Sequence, residues 1–224
     1  VFVDLPQLKA EGEITAVTLY SSTSYFQYKM QPMGYEYDLI NDFAKSQGLK
    51  LNTKVAENPA RLIEMLEAGE ADVVAYPIPI NNKLKQEVIY CGREDISSQV
   101  LIQRANKGDK LLTDVTQLID KNVYVKPNTK YSERLKNLDE ELGGGIHIQK
   151  VENDSIATVD LIEMVSLGEI PYTISDDNTA RLNKTYYWNI NVDLKVSFPQ
   201  RSSWVVRKSS PDLAKAIDEW ASDK

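Results

Sequence analysis

Two hydrophobic spacings alternate along the chain. "EITAVTLY" (13–20) sets Ile14, Ala16 and Thr18 on one face and Thr15, Val17 and Leu19 on the other, which predicts a strand. "YEYDLINDFAKSQG" (35–48) then switches to a helical period. Leu39, Ile40, Phe43 and Ala44 share one side, and Gly48 stands where a left-handed C-terminal cap belongs. "LKLNTKV" (49–55) alternates strictly and predicts a second strand. Asn58 as cap and Pro59 as first residue open the next helix, which Gly69 ends. "ADVVAYP" (71–77) is apolar on both faces, as a central parallel strand should be.

The second half repeats the scheme. "NVYVKP" (122–127) is a strand, and Asn128 or Thr129 caps a helix that aligns Tyr131, Leu135, Leu138 and Leu142. The glycines at 143–145 release it. They do not read as a phosphate loop, because a strand ("IHIQKVE") and not a helix follows them. Ser155 is the expected cap of the next helix and Gly168 its stop; "PYTIS" is the following strand, and Asp177 is the expected cap of "NTARLN". Ser210 and Pro211 open a last helix carrying Leu213, Ala216, Ile217 and Trp220.

One segment is written twice. "LIEMLEAGEADVVAY" (62–76) returns ninety-nine residues later as "LIEMVSLGEIPYTIS" (161–175), with six of fifteen positions identical. Unrelated amphipathic helices draw on the same few residue types. Read as a repeat, the segment is a helix–Gly–strand unit used once in each of two α/β lobes. Such lobes direct the carboxyl ends of their strands toward a crevice where ligands bind. Strand-like crossings at 96–106 and 194–210 predict a hinge, with lobe 1 formed by 1–97 plus 202–224 and lobe 2 by 98–201. A single nine-element sheet is the alternative arrangement.

Composition narrows the function. With 224 residues and 42% apolar side chains, the chain can build one large domain or two small lobes. A net charge of −7 repels phosphate backbones, so nucleic acid is not an expected partner. One cysteine, Cys91, and one histidine, His147, cannot form an internal disulfide or a Cys/His metal cluster, and no metal or cofactor is expected. A buried thiol and a strand-borne histidine are a better reading of this pair than a catalytic dyad. The longest apolar run is too short to span a bilayer. The first ten residues carry no signal-peptide pattern, and the absence of an initiator Met suggests a mature or trimmed chain.

"GYEYDLINDFAKSQGLKLN" with "LIEMLEAGEADVVAYPIPINNKLKQEV", and later "YVKPNTKYSERL" and "GEIPYTISDDNTARL", resemble the type II periplasmic solute-binding proteins of family 3, the amino-acid-binding proteins of ABC transporters. The resemblance implies a two-lobed periplasmic-binding-protein type II fold with two hinge crossings and an inter-lobe ligand cleft. Within the family, "PYTISDDNTARL" and "FPQRSSWVVRKSSPDLAKAIDEWASDK" are most similar to the N-terminal module of the membrane-bound lytic transglycosylases F, where such a lobe pair precedes a lysozyme-like domain. The Glu-Ser motif carrying the transglycosylase acid is absent from these residues, so this chain alone is not expected to cleave peptidoglycan.

The resemblance also implies a site. Family ligand sites use an arginine on the ligand carboxylate, an aspartate on its ammonium and a helix N-terminus in lobe 2. Asp176 matches the aspartate, and Asn128 and Thr129 match the helix N-terminus. Lys83 stands in the arginine's place, without the planar fork that grips a carboxylate twice. Tyr76, Pro77 and Ile78 replace the small hydroxyls that usually precede it, and Tyr20, Ser21 and Tyr25 lie where the family places an aromatic lid. The expected ligand is a small molecule: an amino acid, a peptide or a muropeptide.

The expected function is a periplasmic ligand-sensing module of a transglycosylase-F-like protein, anchored or free in the periplasm, whose partner is a C-terminal transglycosylase domain. The alternative is a free-standing amino-acid receptor partnered with an ABC permease. A third reading, an enzyme similar to the periplasmic dehydratases, needs a proton-transfer pair in the cleft. Glu36 and Asp38 read as a chance pair, and Glu64 and Glu163, shared by the repeats, as solvated helix residues.

Overall fold

The computed structural model describes residues 3–20 and 25–223. It divides into two units, Val1–Ile96 with Gln200–Lys224, and Ser97–Pro199. Each has its own five-stranded sheet, so the single-sheet alternative does not hold.

In the first unit the helices α1 (Leu5–Glu11), α2 (Tyr35–Ser46), α3 (Pro59–Glu67) and the short α4 (Asn82–Lys85) alternate with strands β1 (Glu13–Thr18), β4 (Lys50–Val55), β5 (Val73–Pro79) and β6 (Val88–Ser97). A hairpin of β2 (Phe26–Tyr28) and β3 (Gln31–Met33) precedes α2. The chain returns at its end with β12 (Gln200–Arg207) and α8 (Pro211–Ser222). The sheet order is β4-β1-β5-β12-β6, with β1 parallel to β4 and β5, and β12 antiparallel to β5. Alternation sends Ile14, Ala16, Val73 and Val206 into one core with Ile40, Phe43, Leu213 and Ile217. Val17, Val74 and Val205 face the other way, onto Leu62 and Leu66 of α3. Both faces of the sheet are therefore covered, which is why its central strands read as continuous apolar runs.

The second unit runs β7 (Gln99–Arg104), β8 (Asn122–Val125), α5 (Lys130–Glu141), β9 (His147–Lys150), α6 (Thr158–Ser166), β10 (Tyr172–Asp176), α7 (Asp177–Lys184) and β11 (Ile190–Asn191). Its order is β11-β7-β10-β8-β9, with β8 parallel to β9 and β10, and β7 antiparallel to β10. Leu135 and Leu138 of α5 pack on Val123, Val125 and Ile174, while Leu161, Ile162 and Val165 of α6 pack on Val100 and Ile102.

The written repeat is thus a structural one. α3 with β5 and α6 with β10 hold equivalent places, each strand flanked on one side by the unit's first parallel strand and on the other by an antiparallel strand. The correspondence extends to that antiparallel partner. Val206 pairs with Val73 and Gln103 with the matching Tyr172, so Arg207 and Arg104 follow at the same station. In unit 1 Arg207 is buried. Its Nη1 donates to the Leu66 carbonyl at 3.1 Å and to the Ala71 carbonyl, and its Nη2 to Asp72 at 3.1 Å. In unit 2 Arg104 lies against Gly168, where a Cβ would come within 2.6 Å of its Nη1, and pairs with Asp109.

Local details differ from expectation in three places. The cap of α6 is Ala157, whose amide donates to Asp160 at 2.7 Å; Ser155 bonds Asn153 instead. The cap position of α7 is Asp176, and Asp177 is its first helical residue. α1 and the β2–β3 hairpin are additional elements. α1 has one buried residue, Leu8, and the hairpin turns through Lys29 and Met30 at positive φ, without the glycine that marks such turns in a sequence.

Asp4 ties the chain's two ends together. Its carboxylate accepts from the Leu5 amide at 2.7 Å at the start of α1, and from the Asp212 and Leu213 amides at 3.1 and 2.8 Å at the start of α8. The Ser210 hydroxyl donates to the Val3 carbonyl rather than capping its own helix. One side chain therefore satisfies the first amides of two helices. Asp4→Ala should cost about 2 kcal/mol, read as a lower urea midpoint at unchanged slope, and Asp4→Asn should recover most of it.

Candidate functional site

Ligands of α/β sheets bind beyond the carboxyl ends of the parallel strands. In unit 2 those ends belong to the neighbours β8 and β10. After β8 the chain turns through Asn128, exposed at φ 59°, and Thr129 caps α5. The Thr129 hydroxyl accepts from the Ser132 amide at 3.3 Å and donates to the Lys126 carbonyl at 2.8 Å. This fixes the first residues of α5, Lys130 and Tyr131. β10 ends at Asp176, whose Oδ2 accepts from Lys130 Nζ at 2.6 Å and from the Tyr131 hydroxyl at 3.2 Å. Although Asp176 occupies a cap position, its side chain makes no capping bond to α7. Thr129 and Asp176 are thus brought to one pole of the unit, with Lys130 and Tyr131 as members that sequence reasoning missed. A lysine at a helix start reads as solvated, and its carboxylate partner lies 46 residues away.

In unit 1 the corresponding ends belong to β1 and β5. Tyr20, largely exposed, lies with its ring 5.4 Å from that of Tyr25, which is buried and 5.7 Å from Tyr37. Ser21 falls outside the described residues. Tyr76 packs against the α3-side core, and Ile78 is buried within it. Lys83 is exposed on α4, and the Tyr90 hydroxyl donates to the Pro79 carbonyl at 2.7 Å at the strand's end.

The model of the bacterial extracellular solute-binding proteins, family 3, matches residues 14–223. The chain belongs to that family. Two relatives are the membrane-bound lytic murein transglycosylases F of Desulfosudis oleivorans, 30% identical over 96% of this chain and 46% of that protein, and of Stutzerimonas stutzeri, 28% identical over 96% and 44%. The chain spans about half the length of these curated relatives. Among solved structures, holo ArgBP of T. maritima aligns with a TM-score of 0.75 at 19% identity, covering 98% of this chain and 93% of that one. The amino acid ABC transporter substrate-binding protein AbpA of Streptococcus pneumoniae, bound to L-arginine, aligns at 0.76 and 14%, covering 98% and 91%. At such identities the likeness establishes the fold.

Within this family fold, unit 1 holds a second polar locus that the sequence reading passed over. Glu36, in the first turn of α2, is buried, and Trp204 Nε1 donates to its Oε2 at 2.5 Å. Trp204 stacks on Trp220 at 6.1 Å, and Trp220 Nε1 donates to Asp42 at 2.8 Å. Glu36, Trp204 and Trp220 line a pocket together with Tyr35, Arg93 and Asp95. Burial raises the Glu36 carboxyl to about 7; the Trp204 bond opposes the rise and nearby Asp95 adds to it. Burial also raises Asp95, against the pull of Arg93. Cys91 is buried and its thiol is pushed well up, so it stays protonated and unreactive. Among the described residues no cluster of three or more His, Cys, Asp or Glu could hold a metal ion, and no helix is long and apolar enough to cross a membrane.

The raised Glu36 has a measurable signature. Between the ordinary glutamate value of 4.5 and about 7, the folded chain keeps a proton that the unfolded chain has released. Stability supplied by this group is complete below pH 4.5 and is lost as pH climbs to about 7. The loss is of order 3 kcal/mol at most. Glu36→Gln keeps the acceptor for Trp204 and removes the titration. Denaturant titrations of wild type and variant from pH 4.5 to 8 should show the wild type losing stability relative to Glu36→Gln over that window. Parallel curves would place the proton elsewhere.

Proposed function

We propose that this chain is the ligand-sensing module of a transglycosylase-F-like protein facing the periplasm, and that it recognises a peptide or muropeptide in preference to a free amino acid. The observation that carries the reading is the polar pole of unit 2. A partly exposed carboxylate, Asp176, sits at the end of a central parallel strand and is already engaged by an ammonium and a phenol from the neighbouring helix start. Lys83 adds to it. An exposed lysine attracts a carboxylate as a point charge but cannot hold it in the two-pronged geometry that suits a free α-carboxylate. The relatives that share nearly the whole of this chain are named as murein transglycosylases, which makes cell-wall fragments the first ligand class to test.

The second reading, a transport receptor for one amino acid, is favoured by the fold shared with an arginine-bound transporter protein. A thermal-shift screen of the twenty amino acids against cell-wall peptides and muropeptides separates the two. The proposal expects shifts with fragments and weak or absent shifts with free amino acids. A micromolar hit to one amino acid, about −8 kcal/mol, with no fragment binding would move the chain to the transport receptors.

Asp176→Ala should remove most of the ligand-induced rise in Tm, because the carboxylate is the polar group at the end of β10 and holds the Tyr131 hydroxyl in place. The ligand-free Tm should move by no more than about 2 °C, since the pair is partly exposed and such pairs contribute little to stability. An early-melting variant that still binds would make Asp176 a turn residue.

A further inference from the structure

We infer that Lys130 is a built-in ammonium standing where a ligand's free amino group would bind, and that it selects ligands whose amino terminus is acylated. The inference rests on the solute-recognition reading above and names the ligand class of that same pole.

Three observations carry it. First, Asp176 has the backbone of a helix cap but does not cap α7. An aspartate at that position ordinarily accepts from the second or third helical amide. Its carboxylate is turned instead toward Lys130, at 2.6 Å, and Tyr131, at 3.2 Å, with both donors on one oxygen. Second, Lys130 is the first residue of α5. A cation there faces the positive end of the helix dipole, an unfavourable place unless an anion answers it. The Thr129 cap and its bond to the Lys126 carbonyl hold the backbone at that point, so the lysine is tethered close to Asp176. Third, Lys130 Nζ lies 5.5 Å from the centre of the Tyr131 ring. A carboxylate, a phenol and an aromatic face are the groups that receive a primary ammonium. Here the chain's own ammonium is the occupant.

The consequence for a ligand is competition. A free amino terminus must displace a tethered group of identical chemistry that is present at high effective concentration, and it approaches a like charge as it does so. An acylated nitrogen carries no charge and makes no such demand. The pair itself is exposed enough to be weak, so it tunes selectivity without locking the fold. Peptides joined through their amino end to a sugar acid have this chemistry, as do N-acyl amino acids.

Titration calorimetry on wild type, Lys130→Met and Lys130→Arg tests it. The probes are L-alanyl-D-glutamate and its N-acetyl form, and the twenty amino acids with their N-acetyl counterparts. The wild type should bind acetylated members more tightly than free ones. Lys130→Met should bind the free forms about tenfold more tightly than wild type does, with the acetylated forms changed by less than about threefold. Lys130→Arg, which keeps the charge, should retain the wild-type preference. A wild type that binds these probes with the same free-to-acetylated ratio as Lys130→Met overturns the role of Lys130 and leaves the solute-recognition reading standing. Absence of binding by wild type and variants alike overturns the inference and the peptide reading beneath it.

Discussion

Arg207 is a buried charged side chain at which the sheet of the first unit is tied together. From the end of β12 it reaches the last turn of α3 at the Leu66 carbonyl, the entry to β5 at the Ala71 carbonyl, and the Asp72 carboxylate. Asp72 passes the connection on by accepting from the Thr15 amide of β1 at 2.8 Å. Three neighbouring strands and one helix end thus meet at a single ion pair. A guanidinium is buried there only because its partners are fixed, and its Nε alone finds none in the structure. With α3 stopped at that point, β5 enters the sheet in the register that carries Tyr76 and the stretch before Lys83 to the sheet's carboxyl end.

The second unit reaches the same arrangement with a looser joint. Arg104 stands at the matching station but turns outward to Asp109 over Gly168, the glycine that both copies of the repeat preserve. The repeat therefore encodes a place for a helix to stop and a strand to begin, and each unit fills the surrounding polar contacts in its own way. The same holds at the other ends of the strands. Unit 1 presents tyrosines and an exposed lysine there, and unit 2 an aspartate with its attendant ammonium and phenol.

Much of this was legible in the chain because the signals were local. Asn58 accepts from the Arg61 amide as a cap should, Gly48 and Gly69 take positive φ past the ends of α2 and α3, and the apolar faces of α2 and α5 are the buried ones. Cap assignments slipped where several polar residues crowd a helix start. Backbone direction, not side-chain type, chose Ala157 over Ser155 and Asp176 over Asp177. What could not be read were pairings made by the fold. Glu36 looked like one carboxylate among thirty-three, and its burial is decided by Trp204, 168 residues further on. Lys130 carries no local signal of a partner, and it is β10 that delivers Asp176 beside it.

The position of β12 bears on how the chain is made. It enters its sheet between β5 and β6, although 102 residues separate it from the end of β6. The second unit is continuous in sequence and acquires every strand of its sheet as synthesis proceeds through residue 191. The first unit, begun earlier, lacks its fourth sheet position, Arg207 and α8 until residues 200–222 have been made. The half that starts first finishes last, and its unpaired β5 edge is open to other strands in the interval.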